Sequence, residues 1–259
     1  MSYFKDKTIW LTGASSGIGE ATAKALSSEG CKLIISARRE SELQRVKNEC
    51  AHPEMVTILA LDLEKHQQAA QWVAQAWDIF GGIDVLFNNG GIGQLSAALD
   101  TQEQVERKIF EINYFGNIAL SKALLPKMLK ANKGQIVATA SIAANFGQAN
   151  LAAYSASKAA LKLYYESLWQ ELKQTPLKIQ VVSPGFIQTQ VTLNSLTADG
   201  AALGKNSPAQ EKGMPTSVFA KKLMKVMAGS KFHSYIGRKE LLAVPLHALF
   251  PRLFYKLLK

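Results

Sequence analysis

The stretch Thr8–Gly19 reads Thr-Ile-Trp-Leu-Thr-Gly-Ala-Ser-Ser-Gly-Ile-Gly, and it decides the fold. Its first five residues are typical of a β-strand, and a helical pattern rich in Ala and Glu follows it to about Gly30. Glycines at 13, 17 and 19 let the backbone approach a pyrophosphate, and a helix N-terminus offers unpaired N–H groups. A tight turn without a ligand is the alternative, but the strand before it and the helix after it favour dinucleotide binding.

The rest of the chain repeats this alternation of strand and helix. Further strands are predicted at Lys32–Ser36, Val56–Leu61, Ile83–Phe87, Gln135–Thr139, Leu177–Val182 and Ser234–Ile236. Helices are predicted at Ser41–Cys50, Glu64–Phe80, about Glu106–Lys130, Tyr154 to about Gln174, and Thr216–Ala228. The pattern predicts an α/β fold: one domain over residues 1–259, with a doubly wound parallel sheet of about seven strands and helices on both faces. Residues 184–215 are too many for an ordinary loop, so they form either a substrate lid or a disordered insertion.

Composition and charge limit the class of protein. Of the 259 residues, 47% are hydrophobic and 19% charged, which is enough apolar side chain for a substantial core. Two cysteines, Cys31 and Cys50, do not make a disulfide framework, and Met1–Lys7 has no apolar run like that of a signal peptide. No apolar run reaches about 18 residues, so no membrane-spanning helix is expected. We therefore expect a cytoplasmic location.

The net charge of +10 is concentrated at one end of the chain. Residues 221–259 contain nine Lys or Arg and one acid, Glu240, so they carry +8, and the remaining residues carry +2. A nearly neutral body with a basic end does not predict a nucleic-acid partner.

A second motif, Tyr154-Ser155-Ala156-Ser157-Lys158, carries the chemistry. In a helix Tyr154 and Lys158 lie on one face, and a neighbouring ammonium is expected to lower the pKa of the phenol. A phenol tuned in this way can exchange a proton with a substrate near neutral pH. An ordinary surface pair is the alternative, and the other motifs decide against it.

The end of the second predicted strand indicates the cofactor. A carboxylate there would bind the 2′-hydroxyl of NAD, but this chain has Ala37 followed by Arg38 and Arg39. Because guanidinium groups bind phosphate in a bidentate manner, we expect NADP(H) in preference to NAD(H). Asp62, after the third strand, could accept a hydrogen bond from the adenine amine or could simply cap the next helix.

Together these motifs resemble the classical short-chain dehydrogenase/reductase family over about Lys7–Thr189. The matching positions, in the expected order, are Thr12-Gly13-x-x-x-Gly17-x-Gly19, Asp62, Asn88-Asn89-Gly90-Gly91, Asn113, Ser141, Tyr154-x-x-x-Lys158, and Pro184-Gly185 leading to Thr189. Ser141 precedes Tyr154 by thirteen positions, which is the family spacing. Gly90 departs from the family's usual Ala, and the loss of one methyl group should be tolerated.

The resemblance implies a Rossmann-type fold and a role for each position. Tyr154 would be the general acid or base, and Lys158 would lower its pKa and hold the nicotinamide ribose. Ser141 would hydrogen-bond the substrate oxygen, and Asn113 would order a water in a proton relay. The implied cofactor-binding residues are Gly13, Ser15, Ser16, Gly17, Ile18, Gly19, Arg38, Arg39, Asp62, Leu63, Asn89, Gly90, Tyr154, Lys158, Pro184, Gly185, Ile187 and Thr189. The family also usually forms homodimers or homotetramers through its two long helices.

The residues around the expected reaction centre suggest a lipophilic substrate. They are the apolar Ala143, Ala144, Phe146, Phe186 and Val191 and the polar Gln94, Asn145 and Gln148. No metal site is expected, because the four histidines lack ligand-like spacing and neither CxxC nor HExxH occurs. Ser141 has no His partner in a nucleophile-elbow context, so hydrolase chemistry is not expected.

The C-terminal tail, residues 240–259, shows an amphipathic stripe. Its apolar members are Leu246, Leu249, Phe250, Leu253, Phe254, Leu257 and Leu258, with Pro251 expected to kink the helix. Arg252, Lys256 and Lys259 flank the stripe, which suits an interfacial anchor on anionic lipid. Packing on the protein's own body or across a subunit interface is the alternative, and both remain open.

The sequence thus predicts an NADP(H)-dependent oxidoreductase that interconverts a carbonyl and a secondary alcohol. NAD-dependent oxidation is the second enzymatic candidate. A dinucleotide-sensing or membrane-docked binding protein without turnover is the alternative from another class, and the intact Ser141, Tyr154 and Lys158 set argues against it.

Overall fold

A computed structural model of the chain describes residues 2–257, and it is built on one parallel sheet. The strands are β1 (Thr8–Thr12), β2 (Lys32–Ser36), β3 (Val56–Ile58), β4 (Val85–Asn88), β5 (Gln135–Thr139), β6 (Lys178–Pro184) and β7 (His233–Ile236). Their order across the sheet is β3-β2-β1-β4-β5-β6-β7, and every pair is parallel. The order reverses between β1 and β4, which is the point where ligands bind in sheets of this kind.

Ten helices connect or follow the strands in the described part of the chain. They are α1 (Gly17–Ser27), α2 (Glu40–Asn48), α3 (Ala69–Phe80), α4 (Glu103–Phe110), α5 (Gly116–Lys130), α6 (Ala152–Leu172), α7 (Pro208–Glu211), α8 (Thr216–Ala228), α9 (Ala243–Leu249) and α10 (Pro251–Leu257). The predicted doubly wound α/β fold with seven strands is confirmed.

The two faces of the sheet have separate cores, because successive side chains of a strand point to opposite faces. Ile9 and Leu11 of β1 belong to one core, which is shared with α1, α2 and α8. Trp10, between them, belongs to the other core, which is shared with α3, α5 and α6. Burial on both faces explains why this strand is apolar at each of its three central positions rather than alternating.

The third strand, the helix after it and the helix predicted at about Glu106–Lys130 differ from the structure, and the last of these is divided into α4 and α5 by a π-helical turn, Glu111–Phe115. The third strand was expected to run to Leu61, but its regular ladder ends at Ile58, although the N–H groups of Leu59 and Leu61 still donate to β2 and Ala37 at 3.1 Å. The helix expected from Glu64 begins as a tighter 3₁₀ segment, Leu63–Gln68, because the backbone at Lys65 is not helical. The α-helix itself starts only at Ala69.

The C-terminal tail forms two short helices rather than one kinked helix. Phe250, with φ −136° and ψ 63°, separates α9 from α10, and Pro251 occupies the first position of α10 as its fixed φ allows. Leu258 and Lys259, the last residues of the predicted stripe, lie outside the described residues. No helix between residues 2 and 257 is long and apolar enough to cross a membrane.

Candidate active site

The turn between β1 and α1 has a backbone that only glycine adopts easily. Gly13 and Gly17 have φ of +66° and +59°. A Cβ on Gly13 would lie 2.8 Å from the Cα of Gly90, and one on Gly19 would lie 2.1 Å from the carbonyl oxygen of Gly13. Ser16 precedes α1 without a side-chain capping bond, so the first N–H groups of the helix remain available to an anion.

A cleft of about 480 Å³ lies over the carboxyl ends of the strands, at the point where the strand order reverses. The predicted residues that line it are Gly13, Ser15, Ser16, Gly17, Ile18, Arg38, Arg39, Asp62, Leu63, Asn89, Gly90, Ser141, Tyr154, Lys158, Pro184, Gly185, Ile187 and Thr189. Of the predicted site residues, Gly19 and Asn113 are not part of this lining. Gly19 lies beneath the turn, and Asn113 is fully buried behind the wall of the cleft.

Asn89 joins three strand ends at the floor of the cleft. Its Nδ2 donates to the carbonyl oxygens of Thr12 at 3.2 Å and Gly13 at 3.3 Å. The hydroxyl of Thr139 donates to its Oδ1 at 3.4 Å, and its own N–H donates to the hydroxyl of Thr12 at 3.1 Å. The amide therefore fixes the glycine turn relative to β4 and β5, and this makes Asn89 a structural support of the cleft as well as part of its surface.

Ser141, Tyr154 and Lys158 meet at one end of the cleft. Ser141 follows β5, while Tyr154 and Lys158 lie one turn apart in α6, as the spacing predicted. The Ser141 Oγ accepts a hydrogen bond from the N–H of Ala143 at 3.1 Å, which leaves its hydrogen available for donation. The Lys158 Nζ, which is almost fully buried, donates to the carbonyl oxygen of Thr139 at 2.8 Å.

Asn113 lies in a π-helical turn, Glu111–Phe115, inserted between α4 and α5. Its Oδ1 accepts from the N–H of Ile92 at 2.8 Å, and its Nδ2 donates to the Ile92 carbonyl oxygen and to the Ser157 hydroxyl. Ser157 in turn donates to the carbonyl oxygen of Tyr154 at 2.7 Å. The Asn113 amide therefore connects the π-helical turn between α4 and α5 to the start of α6. Single π-helical turns of this kind are frequent at functional sites.

Burial overturns one expectation about the tyrosine. The pKa of Tyr154 was expected to fall, but burial raises it, with a hydrogen bond from Ser141 acting in the opposite direction. Burial likewise lowers the pKa of the Lys158 ammonium to about 8. Both shifts favour the neutral form, because a charged group loses hydration when it leaves water. In the protein alone, desolvation is the largest cause of both pKa shifts.

Arg38 and Arg39 are exposed where the cleft passes the end of β2. The Nη2 of Arg39 donates to the Ser15 hydroxyl at 3.4 Å, and neither guanidinium forms an ion pair with a carboxylate among the described residues. Arg45, in contrast, pairs with Glu20, Glu42 and Glu49.

Asp62 caps the 3₁₀ segment that follows it, which was one of the two roles considered for this residue. Its Oδ1 accepts from the N–H of Glu64 at 3.2 Å, and the residue also lines the cleft. Capping and a contact with adenine are therefore compatible, since a carboxylate can accept several hydrogen bonds.

The substrate side of the site differs from the sequence-based expectation. Val191 lines the cleft, but the other residues expected there, Ala143, Ala144, Phe146, Phe186, Gln94, Asn145 and Gln148, do not. Gln94 is fully buried and holds Ser96, Asn150 and the N–H of Tyr154. Asn145 accepts hydrogen bonds from Lys162 and Tyr235.

Several residues of the lining were not among the predicted site residues, although Ala37 and Gly91 lie in motifs described above. The full set is Ala37, Leu61, Gly91, Ile92, Gly93, Ile112, Thr139, Ala140, Gln190, Asn194 and Gln210. Thr139 and Ala140 could have been found, because they end a predicted parallel strand and carboxyl ends of strands face the ligand. Gln190, Asn194 and Gln210 lie in the 184–215 segment, which has no periodic pattern that would orient their side chains.

Comparison with known proteins places the chain in a family. Residues 7–199 match the family model described as short chain dehydrogenase. A dehydrogenase/reductase SDR family protein 7-like of Drosophila melanogaster is 38% identical over 225 residues, which cover 84% of this chain and 68% of the relative. The dehydrogenase/reductase SDR family member 7B of Mus musculus is 32% identical over 263 residues, which cover 99% of this chain and 81% of the relative.

A solved structure shares the fold. The short-chain dehydrogenase/reductase of Burkholderia phymatum, in complex with NAD, matches with a TM-score of 0.86 at 23% identity, and the match covers 98% of this chain and 96% of that one. The chain belongs to the short-chain dehydrogenase family. It is therefore an oxidoreductase of the dehydrogenase/reductase type, which acts on CH–OH groups.

Proposed function

We propose that the chain interconverts a lipophilic carbonyl compound and its secondary alcohol with NADP(H), and that Tyr154 exchanges the proton with the substrate oxygen. The observation that carries the proposal is the meeting of Ser141, Tyr154 and Lys158 at one end of a cleft whose other end holds two exposed arginines. The glycine turn at the middle of the cleft suits a pyrophosphate, since side chains at Gly13 or Gly19 would collide with backbone.

The states of the three side chains suit carbonyl reduction. With its pKa raised, Tyr154 keeps its proton at neutral pH and can donate it to a carbonyl oxygen as charge develops there. Ser141 can donate a second hydrogen bond to the same oxygen, since the bond from the N–H of Ala143 uses a lone pair of its Oγ and leaves the hydroxyl hydrogen free. A bound nicotinamide dinucleotide would supply the hydride to the carbonyl carbon or accept it from the alcohol.

Lys158 would stabilise the site after the proton has left. With a pKa of about 8, its ammonium is largely charged at pH 7 and lies one helical turn from Tyr154. A Cβ on Gly91 would lie 3.0 Å from the Asn113 Oδ1 and 3.2 Å from the Lys158 Nζ, so both groups lie beside the same glycine. This closeness supports a role for Asn113 in a proton relay that starts at Lys158.

The preference for NADP(H) is supported by the residues at the end of β2. Ala37 provides no carboxylate for a ribose 2′-hydroxyl. Arg38 and Arg39 line the cleft, and without a carboxylate partner among the described residues both can bind a 2′-phosphate. A charge-assisted bond to phosphate contributes about 1.5–3 kcal/mol, so two of them can dominate the choice of cofactor.

The preference for a lipophilic substrate is supported by the side chains near Tyr154. Four large apolar residues, Ile92, Ile112, Ile187 and Val191, line the same cleft as Tyr154. We also assign residues 184–215 as the substrate lid. The side chain of Thr189 lies so close to the glycine turn that a Cβ on Gly17 would be 3.2 Å from its Cγ2.

We further propose that copies of the chain assemble through α5 and α6 as a homodimer or homotetramer. Phe115, Leu163 and Trp169 are exposed at or near the surfaces of these helices. Exposed large apolar side chains in this number are typical of a protein contact. Sedimentation of the purified protein as a monomer at assay concentration would contradict this assembly.

The test is the consumption of NADPH and NADH over a panel of hydrophobic aldehydes, ketones and steroids. Replacing Arg38 and Arg39 by Ala should raise the KM for NADPH about 100-fold or more and leave that for NADH nearly unchanged. Arg107→Ala, which removes an exposed arginine on α4, is the matched control and should change neither value. Faster use of NADH than of NADPH by the unaltered protein would refute the cofactor preference.

Turnover itself is tested at the tyrosine. Tyr154→Phe removes the proton donor and should lower kcat by about 100-fold or more, whereas the exposed Tyr255→Phe should be silent. Unchanged turnover in the Tyr154 variant would instead favour a dinucleotide-binding protein whose measured activity has another source. Activity restricted to small charged sugars would refute the lipophilic substrate.

A further inference from the structure

The two C-terminal helices α9 and α10 have one face against the protein and one face in solvent. The inner face is aromatic: Phe254 is buried, with its ring centroid 4.8 Å from that of Phe146 and 5.1 Å from that of His247. His247 also contacts Phe146, at 5.7 Å between ring centroids. These contacts fix the helix pair on the loop that follows Ser141.

The outer face of the pair is apolar and exposed. Leu249 is 71% exposed, Phe250 58%, Leu253 46% and Leu257 65%. Leu242, in the 3₁₀ turn that leads into α9, is 69% exposed as well. Solitary exposed leucines are common on protein surfaces, but these five exposed large apolar side chains between positions 242 and 257 are typical of a contact with something outside the chain.

Cations accompany this apolar face. Arg252 and Lys256 are exposed on α10, and Lys239 is exposed at the base of the helix pair. No carboxylate among residues 2–257 forms an ion pair with any of the three. Glu240, the single acid between positions 221 and 259, has its Oε1 turned to the N–H groups of Phe186 and Arg238.

We propose that this helix pair docks the protein on an anionic lipid surface. Exposed leucines and a phenylalanine would enter the boundary between headgroups and acyl chains, while the arginine and lysines would contact lipid phosphate and carboxylate groups. The charge favours lipid over a second copy of the chain, because two such faces brought together would place like charges side by side. Docking does not depend on the oxidoreductase activity proposed above.

The helix pair α9 and α10 lies close to the end of the cleft that contains Ser141. The loop that carries Phe146 begins next to Ser141, and the Glu240 side chain links the base of the pair to the backbone of the 184–215 segment at Phe186. A docked protein would therefore hold the catalytic end of its cleft close to the lipid, where apolar compounds concentrate.

The experiment is co-sedimentation of the full chain with phosphatidylcholine vesicles, with and without phosphatidylserine, at low and high ionic strength. We expect binding only when phosphatidylserine is present, weakened by salt because exposed charges are screened. Arg252→Ala combined with Lys256→Ala should weaken binding about 25-fold, since each cation near the surface contributes about fivefold. Lys32→Ala combined with Lys47→Ala, in β2 and α2 towards the sheet edge opposite β7, is the matched control and should bind as the unaltered protein does.

The apolar part is tested separately. Leu249→Glu should weaken binding about tenfold or more, whereas Leu99→Glu, at a fully exposed leucine elsewhere, should have little effect. Equal pelleting of the tail variants and the unaltered protein would overturn the proposal. It would also be overturned if the tail variants changed the oligomeric mass in solution and left vesicle binding intact, since the face would then be a subunit contact. NADPH oxidation in the same samples reports on the proposed function, so the two proposals can fail independently.

Discussion

The buried ammonium of Lys158 should destabilise the folded protein, and its removal should show this. The side chain is 4% exposed and donates one hydrogen bond, to the carbonyl oxygen of Thr139, and no carboxylate neutralises it among the described residues. Its pKa is lowered from 10.5 to about 8, so folding has a free-energy cost whenever this lysine is charged. Lys158→Met keeps most of the side-chain volume and removes the charge.

The size of the effect follows from the two pKa values. Between pH 8 and 10.5 the unfolded chain binds more protons at this lysine than the folded chain does, so raising the pH stabilises the fold. Relative to pH 7, the folded protein should gain about 1 kcal/mol at pH 8.5 and about 2.5 kcal/mol at pH 10 from this group alone. The methionine variant lacks this gain.

Guanidinium unfolding of both proteins at pH 7, 8.5 and 10 measures the difference. We compare the free energy of unfolding of the two proteins at each pH. The value for the variant minus the value for the unaltered protein should fall by about 2.5 kcal/mol from pH 7 to pH 10, whatever this difference is at pH 7. The variant also loses the hydrogen bond from Lys158 to the Thr139 carbonyl oxygen. This loss changes the difference in stability by the same amount at every pH, so it does not alter the pH dependence. The range stops at pH 10 because Tyr154, with its raised pKa, adds an opposing dependence above it.

The control is Lys222→Met on α8, an exposed lysine outside the proposed assembly helices. Its difference from the unaltered protein should stay flat with pH. A flat difference for Lys158→Met too would refute the reasoning, because it would mean that burial does not affect the ionisation of this lysine.

Two further substitutions test the turn and the core. Gly19→Ala should weaken NADPH binding at least about tenfold in a fluorescence titration, because the new Cβ would lie 2.1 Å from the Gly13 carbonyl oxygen. The control is Gly147→Ala, whose Cβ would have no atom within 4 Å, and this variant should bind NADPH normally. Tyr165→Phe should lower the free energy of unfolding by about 1–3 kcal/mol in a denaturant titration, because the buried hydroxyl accepts from the Asn88 amide at 2.8 Å, while kcat stays unchanged. Normal NADPH binding by the Gly19 variant, or undiminished stability of the Tyr165 variant, would contradict these assignments.

The fold could be predicted because its signals are local and repeated. Each parallel strand is a short apolar run followed by a helical pattern, and one such unit, Thr8–Ser27, contains the glycine turn in full. The turn is readable from sequence since glycine is required by close backbone contacts that no other residue satisfies. The same is true of Tyr154 and Lys158, whose spacing of four residues places them on one helical face without further information.

The ionisation of those residues could not be predicted in the same way. Spacing shows that an ammonium is near a phenol, but the direction of a pKa shift depends on how much water each group loses. Lys158 is covered by residues from distant parts of the chain, among them the Gly91 backbone and the end of β5. Burial is thus a property of the whole fold, and in the protein alone it reverses the effect inferred from the pair.

The residues on the substrate side of the site were predicted least well, because long-range contacts determine where their side chains point. Asn113 and Ser157 hold the start of α6 through buried hydrogen bonds to backbone, so the catalytic end is fixed by elements that sequence patterns reveal. Phe146 was expected to face the substrate, yet it packs under Phe254 of α10, more than a hundred residues later. A loop residue has no periodicity to indicate its direction, and its partner is set by the path of the whole chain. Specificity in this protein should therefore follow changes in the 184–215 segment and the C-terminal helices more closely than changes in the motifs that identify the family.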